Sequence, residues 1–326
     1  MSVSRLNTAL EGGLILPDEG QIAVLRPPAS YDLGELPRDR VQVSQGFRPD
    51  LDYWTAAGLP VSADLPAGAA ATIIVVPRAK ALARDMVARA CALSPGGLIV
   101  VDGNKTDGVD SLFKEARKRL GDVASVTKAH GRCFWFPASD AFADWAAPAP
   151  ARGAHGFVTT AGVFSDGTVD RGSALLVENL PPKMKGRVCD LGAGWGYLSA
   201  QVLDRAGITA LELIEAEVLA LECARQNVKD PRAVFHWADA TTFRPATPFD
   251  HVICNPPFHA GRAADPALGK AFIAAAADML TPRGDLWLVA NRQLPYEAPL
   301  RAAFREVVQI AQDGAFKVFH ASRPVR

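Results

Sequence analysis

From about residue 183 onward the chain alternates short runs that are apolar throughout with amphipathic stretches of helical length, and that alternation leaves very few folds open to it. The runs are GRVCDL, TALELIE, AVFHWA, FDHVICN and DLWLVAN; helices are predicted over Tyr197 to Ala206, Ala216 to Val228 and Pro266 to Leu280. A strand without a polar face has to be covered on both sides, and strands separated by helices run parallel, so the expected class is doubly wound α/β.

The first half repeats part of this order. ATIIVVPRAK, a helix over Ala81 to Leu93, SPGGLIVVDGN, a helix over Ser111 to Leu120 and KAHGRCFWF match DHVICNPPF, a helix, TPRGDLWLVAN, a helix over Tyr296 to Val307 and QDGAFKVFH. Two tandem Rossmann-like domains arising by duplication are expected, although two unrelated α/β segments can also look alike at this level. No glycine-rich loop follows any strand of the N-terminal copy, which implies a degenerate domain that does not hold a nucleotide. The boundary is placed in the Pro- and Ala-rich stretch AAPAPARGA, giving domains 1–147 and 148–326.

Composition excludes several classes. The chain has 326 residues, enough for two domains, with 49% hydrophobic and 21% charged residues, which rules out a mostly disordered chain. Lys and Arg balance Asp and Glu in both halves, so neither is a polybasic arm or an acidic tail. No apolar stretch approaches the ~18 residues of a spanning helix, and MSVSRLNTAL lacks the design of a secretory signal. Five widely spaced cysteines (Cys91, Cys133, Cys189, Cys223, Cys254) read as reduced core thiols, and no spacing supports a metal site. A cytoplasmic protein, associated with no membrane, is expected.

Chemistry concentrates in the second half. Val188-Cys-Asp-Leu-Gly-Ala-Gly-Trp-Gly196 sits where a strand ends and a helix begins, and Gly192, Gly194 and Gly196 permit a tight turn with close approach to a ligand. A nicotinamide loop would want GxGxxG, but Tyr197 occupies its third glycine position; the spacing here is DxGxGxG from Asp190. Glu215 ends the second strand, where a carboxylate can accept from ribose hydroxyls; capping the helix that follows is the alternative. Asp239 ends the third strand and can meet an adenine amino group or simply cap a turn. Directly after the fourth strand come Asn255-Pro256-Pro257-Phe258. Two prolines hold the backbone rigid there, so that the Asn255 side-chain oxygen and the Pro256 carbonyl can accept both hydrogens of a planar amine while Phe258 offers a stacking face.

Together, the glycine loop, Glu215, Asp239 and NPPF resemble the class I S-adenosylmethionine-dependent methyltransferases that act on exocyclic amino groups. GVFSDGTVDRGSALLV (162–177), NPPFHAG, LVANRQLPY and DGAFKVFHA are similar to the bacterial ribosomal RNA guanine-N2 methyltransferases of the RsmC and RlmG type. VVDGNKTDGVDSL and HGRCFWF resemble the non-catalytic domain of the small-subunit 16S rRNA enzymes of that family. The resemblance covers the chain from about residue 70, and residues 1–70 match less closely. It implies S-adenosylmethionine as cofactor, held by Asp190, Gly192, Gly194, Gly196, Glu215, Asp239 and Asn255, with Asn255, Pro256 and Phe258 catalytic. Phe164, Asp170, Gly172 and Ser173 would cover the cofactor or the target base, or else Asp170 and Ser173 cap a helix and Phe164 anchors the core. His259 is a weak candidate for a base.

The implied partner is ribosomal RNA or a ribosomal subunit, bound by a monomer. Lys114, Arg117, Lys118 and Arg119, then Lys183, Lys185 and Arg187, then Arg323 and Arg326 form basic clusters, either RNA contacts or solvated faces. The open alternatives are large-subunit guanine-N2, adenine-N6 or protein-glutamine methylation, and a non-catalytic ribosome-assembly RNA-binding protein.

Overall fold

A computed structural model of the chain describes residues 4–325 apart from 166, 167, 258, 261, 262 and 265, with backbone alone at 259, 260, 263, 264 and 266. The chain divides into Met1–Ala149 and Pro150–Arg326. The backbone N–H of Ala147 donates to Asp85 Oδ1 at 2.8 Å, so the first unit extends past Trp145.

The first unit runs α1 (Arg5–Glu11), β1 (Ile22–Leu25), β2 (Val41–Ser44), α2 (Arg48–Ala56), β3 (Val61–Ser62), β4 (Ala71–Val75), α3 (Lys80–Leu93), β5 (Leu98–Asn104), α4 (Val109–Leu120), β6 (Ala124–Lys128) and β7 (Gly131–Pro137). Its seven-stranded sheet has the order β3-β2-β1-β4-β5-β7-β6. The pairs from β3 to β5 are parallel; β7 runs antiparallel to β5 and to β6. Ile22, Val24, Ile73 and Val100 are each fully buried, and such side chains contribute about 1.5–3 kcal/mol apiece. One buried carboxylate interrupts this apolar sheet: Asp102 on β5 accepts from Arg5 Nε at 2.5 Å and from the Tyr31 hydroxyl at 2.9 Å. Those partners offset the cost of burying its charge.

The second unit opens with a short antiparallel ladder, β8 (Ala151–Arg152) and β9 (Val158–Thr159). It continues with α5 (Arg171–Asn179), β10 (Lys183–Leu191), α6 (Tyr197–Val202), β11 (Ala206–Glu215), α7 (Val218–Asn227), β12 (Ala233–Trp237) and β13 (Phe249–Cys254). A second short ladder follows, β14 (His259–Ala260) and β15 (Ala263–Ala264), then α8 (Pro266–Met279), β16 (Leu280–Asn291), α9 (Glu297–Ala303), β17 (Phe304–Gln312) and β18 (Phe316–Pro324). The main sheet has the order β12-β11-β10-β13-β16-β18-β17, which is the order of the first sheet strand for strand. The segments matched in sequence take matching places: β4 with β13, α3 with α8, β5 with β16, α4 with α9, and β7 with β18. The architecture is therefore α/β, two Rossmann-like sheets in tandem.

Two predicted helices end four residues early. The helix expected to Ala206 stops at Val202, because Ala206 already begins β11 and the Arg232 guanidinium holds the Leu203 carbonyl at 3.2 Å. The helix expected to Val307 stops at Ala303, since Phe304 is buried and Glu306 to Gln309 pair with β18. β-Branched Val307 and Val308 suit that strand better than a helix end. All five cysteines are buried and free. Among the described residues no helix is long and apolar enough to cross a membrane.

Candidate active site

The carboxyl end of β10 delivers the chain into the glycine turn, where Gly192, Gly194 and Gly196 have φ of +78°, +55° and +87°. Two of these positions show why no other residue serves. A Cβ on Gly196 would lie 3.2 Å from Ala224 Cβ and 3.1 Å from Val228 Cγ2, so the glycine lets the turn seat against α7. A Cβ on Gly194 would meet nothing within 4 Å; it would project into open space and occupy room a ligand can use. The turn is tied to the second strand, since the N–H groups of Gly192 and Ala193 both donate to the Ile214 carbonyl at 2.9 and 3.0 Å.

Glu215 continues that tie. Its Oε2 accepts from the Gly194 N–H at 2.7 Å and its Oε1 from the Glu217 N–H at 2.7 Å. Burial pushes its carboxyl above the usual range, against the pull of those N–H groups. The cap on the following helix is Glu217, whose side chain accepts from the Leu219 N–H.

Asp190 lies near the end of β10, just before the turn, and is fully buried. Its Oδ2 accepts from the Ser199 hydroxyl at 2.7 Å, whereas Oδ1 is buried with no hydrogen-bond partner among the described residues. Burial pushes this carboxyl up to about 7, with the Ser199 hydrogen bonds opposing. The folded protein thus holds a proton on Asp190 more tightly than the unfolded chain, whose carboxyl titrates near ~3.9; the stability this confers is complete below that value and is lost as pH rises to about 7. Asp190→Asn removes this dependence. Without cofactor, the stability of the variant relative to wild type should grow between pH ~5 and ~8 in urea melts, and parallel curves would contradict the shift.

An open cleft is lined by Phe164, Asp170, Ser173, Gly192, Gly194 and Asn255 among others. Three elements converge there: the turn, the start of α5, and the segment after β13. Asp170 is the N-cap of α5, its Oδ2 accepting from the Ser173 N–H at 2.8 Å. The same oxygen accepts from Asn255 Nδ2 at 2.9 Å, and Ser173 Oγ lies 2.8 Å from that nitrogen. Pro256 is buried beside it; Phe258, and the side chain of His259, lie outside the described residues. Phe164 is 52% exposed, so it does not anchor the core.

Other expected residues are placed elsewhere. Gly172 faces β18: a Cβ there would lie 3.0 Å from the Phe316 ring, so this glycine lets α5 pack on the sheet. The Asp239 side chain folds back onto Thr241, accepting from its N–H at 2.8 Å and its hydroxyl at 2.7 Å, and neither Asp239 nor Glu215 lines the cleft. In each basic cluster an arginine is taken by a carboxylate, Arg119 by Asp144, Arg187 by Glu212 and Arg323 by Glu306, while Lys114, Arg117 and Lys118 stay exposed.

Sequence reading missed three residues. Trp195 Nε1 donates to the Phe164 carbonyl at 2.9 Å, drawing the segment before α5 over the turn. Asn227 holds the Trp195 carbonyl at 2.8 Å and both backbone groups of Val158. Ser199, the partner of Asp190, is the third. Trp195 lies inside the glycine motif and was visible as an odd bulky residue there; nothing in the sequence pointed to Asn227.

A seven-stranded sheet of this order, with a buried carboxylate and a glycine turn at the end of its first strand and an Asn-Pro-Pro segment after its fourth, defines a methyltransferase domain, and residues 154–320 match the family model described as Methyltransferase small domain. The chain is 30% identical over 260 residues to the ribosomal RNA small subunit methyltransferase C of Shewanella sp. (strain MR-4), covering 76% of this chain and 75% of the relative. It is 30% identical over 329 residues to the protein of that name from Hahella chejuensis (strain KCTC 2396), covering 93% and 94%. Among solved structures, the T. thermophilus 16S rRNA N2 G1207 methyltransferase (RsmC), in complex with AdoMet and guanosine, aligns with a TM-score of 0.78 at 27% identity over 95% of this chain and 90% of that one. The chain belongs to the ribosomal RNA small subunit methyltransferase C family.

Proposed function

We propose that this chain transfers a methyl group from S-adenosylmethionine to the exocyclic N2 amine of a guanine in small-subunit 16S rRNA, acting as a cytoplasmic monomer. The observation that carries this reading is that one cleft brings the glycine turn together with Asn255, in a chain of this family. The glycine turn fits the cofactor on two counts. The open space beside Gly194 suits a ligand lying against the backbone, and Asp190 just before the turn, which does not itself line the cleft, keeps one buried oxygen without a partner among the described residues that an ammonium donor would satisfy. Glu215 would serve the ribose while bracing the turn, and Asp239 would approach the adenine.

When bound, S-adenosylmethionine supplies an electrophilic methyl group on a sulfonium. The residues of the chain do the rest by positioning. A guanine amine is a poor nucleophile because its lone pair is delocalised into the ring. The Asn255 oxygen and the Pro256 carbonyl accept its two hydrogens, favour a pyramidal nitrogen and stabilise the positive charge that develops there. Such orientation can supply roughly 7–11 kcal/mol of a barrier. The methylated nitrogen is acidic and loses its proton to solvent without a strong base. Reaching the cleft requires the guanine to leave its stack, at a cost of a few kcal/mol that stacking on Phe258 would partly offset.

The N-terminal unit is read as a degenerate copy that contacts RNA or stabilises its partner. Where β10 leads into glycines, β1 leads into Arg26-Pro27-Pro28, and prolines offer no N–H to a ligand. The Pro27 carbonyl is itself taken, accepting from Gln45 Nε2 at 3.0 Å and from Trp54 Nε1 at 2.8 Å. Calorimetry should therefore give one S-adenosylmethionine per chain; two would refute the degenerate reading.

The direct test is transfer of labelled methyl to unmodified small subunits, large subunits and protein-free RNA, with nucleoside analysis. N2-methylguanosine in small-subunit RNA is expected, and label confined to adenine, protein or large-subunit RNA would overturn the assignment.

A further inference from the structure

We infer that Asp170, with Ser173, is a positioning residue that locks the Asn255 amide with its oxygen toward the cleft, and so makes the site select a base bearing an amino group there. This rests on the reading of Asn255 as the acceptor for the target amine.

The argument starts from what each group can donate. A side-chain amide has two N–H donors on one side and a carbonyl oxygen on the other, and rotating it by half a turn exchanges them with little change in shape. An ionised carboxylate only accepts. Asp170 Oδ2, 2.9 Å from Asn255 Nδ2, therefore fixes which end of the amide faces α5. Ser173 Oγ, 2.8 Å from the same nitrogen, takes the second N–H. Both donors are thus spent on α5. Asn255 lines the cleft, and what it has left to offer there is its oxygen. A flipped amide would point N–H groups at the hydrogens of an incoming amine and would suit a ring carbonyl instead. The negative charge of Asp170 also polarises the amide toward its oxygen, which strengthens the acceptor where positive charge develops.

The carboxylate has two tasks, because the same oxygen caps α5 through the Ser173 N–H at 2.8 Å. The tasks can be separated. Ser, Asp and Asn are about equally good N-caps, but serine is too short to reach Asn255 as well. Asp170→Ser should keep α5 and lose the lock; Asp170→Asn, which can place an amide oxygen where Oδ2 sits, should keep both.

The experiment uses the full chain with four variants: Asp170→Ser, Asp170→Asn, Ser173→Ala and Asn255→Ala. Single-turnover methyl transfer, S-adenosylmethionine affinity by calorimetry, and the preference for guanosine over inosine in binding with S-adenosylhomocysteine present are measured together. Inosine lacks only the N2 amine. For Asp170→Ser the transfer rate is expected to fall on the order of 10²-fold, the effect of a small misplacement of a reacting group, with cofactor affinity within about threefold and the guanosine preference reduced. Asp170→Asn should recover most of the rate, and Ser173→Ala should move both readouts in the same direction as Asp170→Ser by a smaller factor.

If Asp170→Ser transfers methyl at the wild-type rate while Asn255→Ala is inactive, the lock is refuted and the acceptor reading stands. If Asn255→Ala itself is active, the acceptor reading fails and the lock with it. Should Asp170→Ser not fold, Ser173→Ala decides: an unchanged rate and guanosine preference would overturn the proposal.

Discussion

Asn255→Ala should lower methyl transfer by about 10²- to 10³-fold while leaving S-adenosylmethionine affinity within about threefold, an effect of the size seen when a group stabilising transition-state charge is removed. The side chain follows the end of β13, lines the cleft and is held by Asp170 and Ser173, so alanine removes an acceptor without touching the glycine turn. The remaining Pro256 carbonyl can accept one amine hydrogen but cannot hold the nitrogen pyramidal alone. Calorimetry alongside rapid-quench transfer separates the two effects. Loss of cofactor binding with transfer at saturation unimpaired would move Asn255 to the cofactor site.

Glu215→Ala should do the reverse, weakening S-adenosylmethionine by at least about 100-fold. Two part-buried backbone N–H groups, of Gly194 and Glu217, lose their acceptor at once, each at a cost toward the lower end of the about 1–3 kcal/mol of a fully buried donor. The turn keeps its bonds to the Ile214 carbonyl, but the conformation that leaves open space beside Gly194 is no longer favoured. Glu215→Gln keeps one amide oxygen and should lose less. Calorimetric titration of both variants measures this, and alanine binding the cofactor as tightly as wild type would strip Glu215 of both its bracing and its ribose role.

Much of this was readable from residue order, for identifiable reasons. Short apolar runs such as HVIC and LWLVA, bounded by turn residues and separated by helices, read as buried parallel strands, so the α/β class and the repeated order were visible in local pattern. DxGxGxG and NPPF are short and contiguous, with backbone conformations dictated by glycine and proline, and so they marked the ends of the strands that carry the site. Where helix and strand competed, as over Phe304 to Val307, strand pairing won, because a free edge beside β18 rewarded β-branched residues more than another helical turn would.

Local pattern thus accounts for the class, the duplication and the places where chemistry happens, each of which is written in neighbouring residues. Which side chain holds which is settled by the folded chain. Asp170 and Asn255 are far apart in sequence yet 2.9 Å apart in space, Trp195 reaches the Phe164 carbonyl, and Asp190 keeps one buried oxygen unpartnered among the described residues. Such contacts leave no trace in periodicity or spacing, since a hydrogen bond between distant segments depends on how the sheet brings strand ends together, not on the residues next to either partner.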